Sequence, residues 1–523
     1  MALFRSLATV GGFTGLSRVL GFLRDILIAA VLGTGPVADA FFVAFRLPNL
    51  FRRLFAEGAL NAAFVPLFAR RIEEEGLAAA KRFAEEVLAV LLSAMLVLCV
   101  IAIAAMPWLM HVLAPGFAAD PEKFDQAVQL ARIAFPYILF MALVALYGGV
   151  LNSLYRFTAF AAAPVVLNLF FIAALVAVVP LIGEAGLVLA WTVAAAGLGQ
   201  LLWLVWAAKR AGVSLRLHLP RLTPGVKRTL RLMGPGALSA GALQFNIVIG
   251  TIIASLQAGA VSYLYYADRV YQLPLALIGI ALGIVLLPDL SRKVRAKQHD
   301  AAVASLNRGL EVGMLFTLPA AAALVVIAWP IISVLFERGA FDATAAQATA
   351  LALAAFSLGL PAYVGVKIMQ PAFFAREDTV SPLKAAATDV AVSVMLAVTL
   401  FFFIGYVGIA LATAAAAWVN VGLLALWLRR AGFLRPDARF KRRAPRMAGA
   451  AVGMAAALLA GQWALMDLLT GGQGEKIAAL LLLVGGGMAL YGALALLLGA
   501  ADLGELRALF RRRGEAAPVV GGE

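Results

Sequence analysis

Arg18, Arg24, Asp25, Asp39, Arg46, Arg52, Arg53 and Glu57 fall within the first two apolar stretches of a chain that is 63% hydrophobic. A charge at membrane depth costs a few kcal/mol or more, so such groups normally face an interior cavity and a partner. Five positive and three negative charges predict a polar chamber with a positive excess, suited to an anion. Phosphate is the leading candidate, because a planar guanidinium meets its oxygens two at a time.

The spacing of these residues says where they point. On the first stretch Arg18 and Asp25 are two turns apart and share a face, as do Ser17 and Arg24. On the second, Asp39, Arg46, Arg53 and Glu57 fall within about 40° of one another at roughly 100° per residue. Arg52 lies off that stripe, although Pro48 makes a straight helix doubtful. Asp268 and Arg269 open a later span in which Pro274 and Pro288 also break regularity. Arg24 and Arg269 read as two sides of one phosphate clamp, with Asp25 orienting a guanidinium. The competing reading is that the charges pair with each other and only hold helices together. It is strongest for Arg46, Arg53 and Glu57, because Arg53 and Glu57 are an i,i+4 pair.

Asp389 stands alone in the run AAATDVAVSVMLAV. A carboxyl there is protonated, binds a cation, or finds a distant partner, and it is the expected site of any coupling cation or proton. Lys367 receives no role. Asn152, Asn168 and Asn246 are expected to join helix to helix rather than to bind ligand.

The elements that must position these groups are membrane helices. Only 14% of the 523 residues are charged, against about a quarter in a soluble protein. The net charge of +15 reflects basic loops on the cytoplasmic side rather than nucleic-acid binding. The single cysteine, Cys99, allows no intrachain disulfide, and His111, His218 and His299 are too scattered for a metal site. No phosphate-binding GxxxxGK[ST] loop, selectivity filter or catalytic signature appears, so the chain reads as neither an enzyme nor an ATP-driven pump, and no cofactor is expected. Arg18 and Arg24 interrupt any signal-peptide core, so the first stretch is expected to remain as a span.

Spans of roughly 20 apolar residues fall at 5–32, 37–68, 84–113, 126–153, 158–181, 186–208, 230–257, 263–290, 306–335, 346–374, 382–404, 407–428, 446–467 and 476–500. With both termini placed in the cytoplasm, the outside loops hold only Lys123, Arg338 and Lys476 of the Lys and Arg residues. AAFVPLFAR at 62–70 resembles IVLLPDLSR at 284–292, and PWLMHVLAPGF at 107–117 resembles PIISVLFERGAF at 330–341. The predicted fold is therefore an all-α polytopic membrane protein of 14 transmembrane helices. Two six-helix lobes form a parallel pseudo-twofold repeat, with a site expected between them, and two extra helices follow. The map is an N-lobe over 1–210, a basic linker over 211–228, a C-lobe over 229–430, a second basic linker over 431–445, two helices over 446–500, and a cytoplasmic tail over 501–523.

SRVLGFLRD (17–25), ADAFFVAFRLPNLFRRLFAEGALNAAFVPLF (38–68), YADRVYQLPLALIGIALGIVLLPDLSR (266–292), VLFERGAFD (334–342) and QPAFFAREDTVSPLK (370–384) resemble the bacterial MurJ (MviN) family. That family lies in the multidrug/oligosaccharidyl-lipid/polysaccharide exporter superfamily. The resemblance covers essentially the whole chain. It implies a multi-pass inner-membrane flippase for lipid II, the undecaprenyl-pyrophosphate-linked precursor of peptidoglycan, working by alternating access. It also implies that Ser17, Arg18, Arg24, Asp25, Asp39, Asn49, Arg52, Arg53, Glu57 and Arg269 occupy motif positions of the substrate chamber, and that Asp389 lies near a cation site. The two C-terminal helices are expected to offer a groove for the lipid tail. A monomer is expected, with lipid II, membrane lipids and cell-wall synthesis proteins as partners. Rival functions are a flippase for another polyprenyl-pyrophosphate glycan, a cation-coupled drug exporter, whose chamber should be acidic or apolar, and a non-transporting scaffold.

Overall fold

The computed structural model describes residues 2–51, 60–502 and 504. The chain is all-helical, 86% helix. Among the described residues the backbone forms no strand, and Arg338 pairs with Phe341 in an isolated bridge. Eleven helices among these residues are long and apolar enough to cross a membrane. They match the predicted spans from the third to the sixth and from the eighth onward. The predicted spans 5–32, 37–68 and 230–257 are not among the eleven. They correspond to α1 (Ala2–Leu32), to α2 (Pro36–Phe51) with α3 (Leu60–Glu75), and to α11 (Pro224–Ala254).

The chain divides into two compact units. The first comprises 1–265 with 336–345, and the second 266–335 with 346–523. Between α3 and α11 the first unit holds α4 (Leu77–Ala104), α5 (Met106–Leu113), α6 (Pro121–Ala134), α7 (Tyr137–Ser153), α8 (Phe157–Ala173), α9 (Val179–Ile182) and α10 (Ala185–Arg210). α11 packs against α3, α4 and α5, which places the seventh helical stretch in this unit. Its core is aromatic: the Phe41 and Phe45 rings of α2 stack at 5.9 Å and meet Phe171 of α8. Phe64, Phe68 and Phe83 form a second stack.

The cut falls within α12 (Ala260–Pro274). Pro274 brings no backbone donor, and the chain continues as a π-helical turn over Leu275–Ile280 before α13 (Ala281–Arg295). The second unit continues with α14 (His299–Val326), α15 (Ala328–Phe336), α16 (Ala343–Ser357), α17 (Leu360–Phe374), α18 (Val380–Ile404), α19 (Tyr406–Arg430), α20 (Ala438–Ala464), α21 (Met466–Thr470) and α22 (Gln473–Leu497). α20 and α22 pack on each other, and both touch α14. Their seam buries Ala450, Ala451, Met454, Leu458 and Leu483. Small side chains let apolar helices approach closely, which is how association proceeds where lipid is as apolar as leucine.

The breaks between helices recur. α4 stops one residue before α5, and α14 stops one residue before α15, each time just upstream of the prolines Pro107 and Pro330. α6 and α7 are interrupted at 135–136, and α16 and α17 at 358–359. The first pair of breaks lies just ahead of the similar segments 107–117 and 330–341.

Candidate functional site

Ser17, Arg24 and Asp25 come together on α1, where the spacing aligns Ser17 with Arg24 but Asp25 with Arg18, and α8 and α12 complete the arrangement. Arg24 is 7% exposed and Asp25 is 2% exposed. The Arg24 Nε and Nη2 donate to Asp25 Oδ1 at 3.1 and 2.8 Å. Arg24 Nη1 donates to Asn168 Oδ1 at 3.1 Å, and the guanidinium carbon lies 5.4 Å from the Phe171 ring centre. The amide of Asn168 donates to the Ser17 carbonyl at 2.9 Å. Tyr265, at the end of the first unit, donates its hydroxyl to Asp25 Oδ1 at 3.1 Å. A buried guanidinium is thus fixed by a carboxylate, an amide and an aromatic face. Such a group is preorganised, since little side-chain freedom remains to be lost when an anion arrives.

Asp39 sits differently. Its residue is 0% exposed. Oδ2 accepts from Lys123 Nζ at 2.8 Å and from the Gly259 N–H at 2.9 Å. Oδ1 accepts from the Ser262 N–H at 3.0 Å and the Ser262 hydroxyl at 2.7 Å. Lys123, placed by the sequence in an outside loop, is 8% exposed and stands 4.1 Å from the Phe117 ring centre. The carboxylate therefore ties α2 to α6 and to the start of α12, and every lone-pair direction is in use. Two further contacts of the first unit join loops predicted to lie outside to the ends of predicted spans. The Ala340 N–H donates to the Ala30 carbonyl at 2.8 Å. Gly33, with φ +60, lies so close to Ala340 that a Cβ there would collide with its carbonyl. The Gly116 N–H donates to Ser255 Oγ at 3.1 Å.

The remaining predicted residues are dispersed. Arg18 is exposed on α1, one turn and a half before Arg24. Arg46 is half-buried and donates to Thr251 of α11, a partner the stripe on α2 did not announce. Asn49 is half-buried beside Pro48. Arg52, Arg53 and Glu57 lie outside the described residues. In the second unit Asp268 and Arg269 are half-buried on α12, and Gln272 donates to Asp268. Asp389 is half-buried on α18. Tyr271 and Tyr363 are 5.5 Å apart, near both Asp268 and Asp389.

Sequence reasoning missed Lys123, Ser262, Thr251 and Tyr265. A lysine in a short loop, or a tyrosine in an apolar run, carries no local mark of its partner. Asn168 was read as joining helices, and it does so through Ser17, but it also holds Arg24. A second buried centre was also unannounced. Glu311 of α14, 4% exposed, accepts from Arg439 at 3.0 Å and Arg443 at 2.6 Å, both on α20. Arg308 donates to Glu311 and to Asp437.

These features define a polytopic, all-helical membrane protein with charged groups built into its spans. Solved structures sharing this fold include a lipid II flippase MurJ in an inward closed conformation, with a TM-score of 0.73, 23% identity and coverage of 93% of this chain and 97% of that one. An inward-facing multidrug resistance MATE family transporter of the MOP superfamily matches with a TM-score of 0.67 and 15% identity over 80% of this chain and 95% of that one. The family model for the lipid II flippase MurJ matches residues 28–485. A probable lipid II flippase MurJ of Rhizobium tropici is 46% identical across 100% of both chains. The lipid II flippase MurJ of Burkholderia cenocepacia is 41% identical over 87% of this chain and 89% of its own. The chain belongs to the MurJ family of lipid II flippases.

Proposed function

We infer that this protein carries lipid II across the cytoplasmic membrane by alternating access. The observation that carries the reading is Arg24, a buried guanidinium braced by Asp25 and Asn168 within a membrane-depth helix. Such a group suits the pyrophosphate of a polyprenyl-linked precursor, because charge-assisted hydrogen bonds are strongest away from water. Asp25 holds the guanidinium in place while the site is empty. Arg18, exposed on the same helix, would meet the head group first, and the family motif assigns Arg269 to the substrate as well. Ser17 and Asn49 add polar contacts, and the family motif assigns Arg52, Arg53 and Glu57, which lie outside the described residues, to the same task.

The complete architecture on this reading has 14 spans with both termini in the cytoplasm, in two parallel six-helix repeats. The recurring breaks at α4/α5 and α14/α15 support the repeat. α20 and α22 would seat the lipid tail while the head group crosses. The Asp39 network and the Gly33–Ala340 contact are tied on the outer side, so export requires that they part. Asp389 would couple the cycle to a cation or proton, and the protein would work as a monomer without ATP. Asp39 itself, with its lone pairs occupied, acts as a latch in this state.

The test is complementation of a strain depleted of its own flippase, with lipid II binding measured alongside at matched protein levels. One charged hydrogen bond contributes about 1.5–3 kcal/mol, so Arg24→Ala should weaken binding by tens-fold. Arg24→Lys should rescue poorly, because an ammonium lacks the planar fork. Normal binding and growth with Arg24→Ala would make the charge purely structural.

A further inference from the structure

The segment between α10 and α11 is exposed, yet it is neither loose nor polar. α10 ends with Trp206 about half exposed and the Arg210 guanidinium 4.7 Å from its ring centre. An exposed tryptophan beside a basic residue at a helix end marks head-group level. The chain then reads Ser214-Leu215-Arg216-Leu217-His218-Leu219-Pro220-Arg221-Leu222, alternating basic and apolar side chains. Leu217, Leu219 and Leu222 are 62, 81 and 59% exposed, and Arg216, His218 and Arg221 are exposed as well.

Two carboxylates of α4 hold this segment flat. Glu85, 5% exposed, accepts from the Arg216 N–H at 2.9 Å and lies 3.3 Å from His218 Nε2. Glu86 accepts from the Thr223 hydroxyl at 2.7 Å. The clasp uses the Arg216 backbone rather than its guanidinium. Between the segment and α4 runs a groove of about 460 Å³, lined by Val90, Ser93, Ala94, Val97, Pro220 and Leu222. The α4 wall of that groove belongs to a membrane-crossing helix, and its exposed Val97, Val100 and Ile101 continue the surface. Leu222 thus extends a lipid-facing wall rather than opening a separate patch.

We propose that residues 214–222 form an interfacial anchor, with Leu217, Leu219 and Leu222 immersed in the leaflet and Arg216 and Arg221 seated on anionic phospholipid head groups. Two features select lipid over a soluble partner: the apolar surface is continuous with a span, and the interleaved arginines complement an anionic surface. The anchor is independent of which molecule the protein transports.

The experiment places a spin label at Leu219→Cys in a Cys99→Ala background, with the full chain in nanodiscs. The bilayer is phosphatidylcholine with or without phosphatidylglycerol. Collision with oxygen and with a water-soluble nickel complex reports depth, and Glu75→Cys provides the reference at the exposed end of α3. The expected oxygen-to-nickel ratio at position 219 is several-fold above that at position 75 when phosphatidylglycerol is present. It should fall when that lipid is omitted or when Arg216→Ala and Arg221→Ala are combined. A nickel-accessible label at 219 overturns the proposal, as does a label shielded from both reagents, which would mean a protein cover. A ratio indifferent to anionic lipid and to the two arginines overturns it equally.

Discussion

Asp39→Asn keeps the shape of the side chain and removes its charge. In the native arrangement four donors converge on the two carboxylate oxygens, at 2.7 to 3.0 Å. An amide accepts at one oxygen only, and its NH2 must then face donors. Lys123, with a side chain 8% exposed, loses its counter-charge. Removing one member of a buried ion pair costs about 3–5 kcal/mol. The Phe117 ring remains 4.1 Å from the ammonium and would recover about 1–2 kcal/mol. The net penalty is about 1–4 kcal/mol, roughly five-fold to several-hundred-fold in population. It falls on whichever state contains the latch.

The assay is amide hydrogen exchange across 255–263 in reconstituted protein, joined to a double-mutant cycle. Asp39→Asn alone and Lys123→Met alone should each raise exchange there, because each leaves a buried group unmatched. Combined, they leave no unpaired charge, so the double variant should be closer to the native protein than the sum of the singles. The coupling should be about 2 kcal/mol or more. Additive single effects, or exchange unchanged by Asp39→Asn, would refute the latch.

Asn168→Ala should leave Arg24 charged but less fixed, reducing lipid II affinity several-fold, roughly the 1 kcal/mol of one hydrogen bond; an affinity loss equal to that of Arg24→Ala would contradict a positioning role. Asp389→Asn should alter the ion or pH dependence of flipping while lipid II binding stays near normal, and transport assays across ion gradients would show otherwise if the carboxyl is idle. Asp437, outside the membrane, is pushed up by partial burial, but the Phe440 N–H and Arg308 outweigh this and hold its carboxyl below the ordinary 3.8. A depressed folded value contributes stability above the ordinary value, lost as pH falls through the lower one. Exchange at the start of α20 should therefore rise below about pH 3.8. Asp437→Asn should remove most of that acid sensitivity.

The apolar framework was legible because spans are a matter of composition over about 20 residues, and eleven of them need no tertiary information. The pair Arg24 and Asp25 was legible for a related reason: adjacent opposite charges at membrane depth have few other options. Asp39 was not. Its helical stripe aligned it with Arg46, whereas its true partners lie at 123, 259 and 262. Arg46 in turn reaches Thr251 of α11. Periodicity ranks neighbours on one helix and is silent about which other helix arrives. The Glu311 centre escaped notice because α14 and α20 meet across more than a hundred residues of sequence, and their charges read as ordinary basic loops.

One chemical device thus does two jobs in the first unit. Arg24 and Asp39 are both buried charges with full sets of partners, yet their partners differ in kind. Arg24 is held by side chains of α1 and α8, with the Asp25 contact supported by Tyr265. Asp39 is held largely by donors of another segment, including two backbone N–H groups of 259–262. The Asp25 and Asn168 contacts that brace the Arg24 guanidinium do not involve the 259–262 segment. A latch of the second kind is all-or-none, since separating 259–262 from Asp39 breaks three bonds together and admits water to the carboxylate. Apolar packing at the same place would yield gradually. Buried polar contacts between discrete elements give the two distinct states that alternating access requires, and hydration of the exposed carboxylate limits the cost of opening.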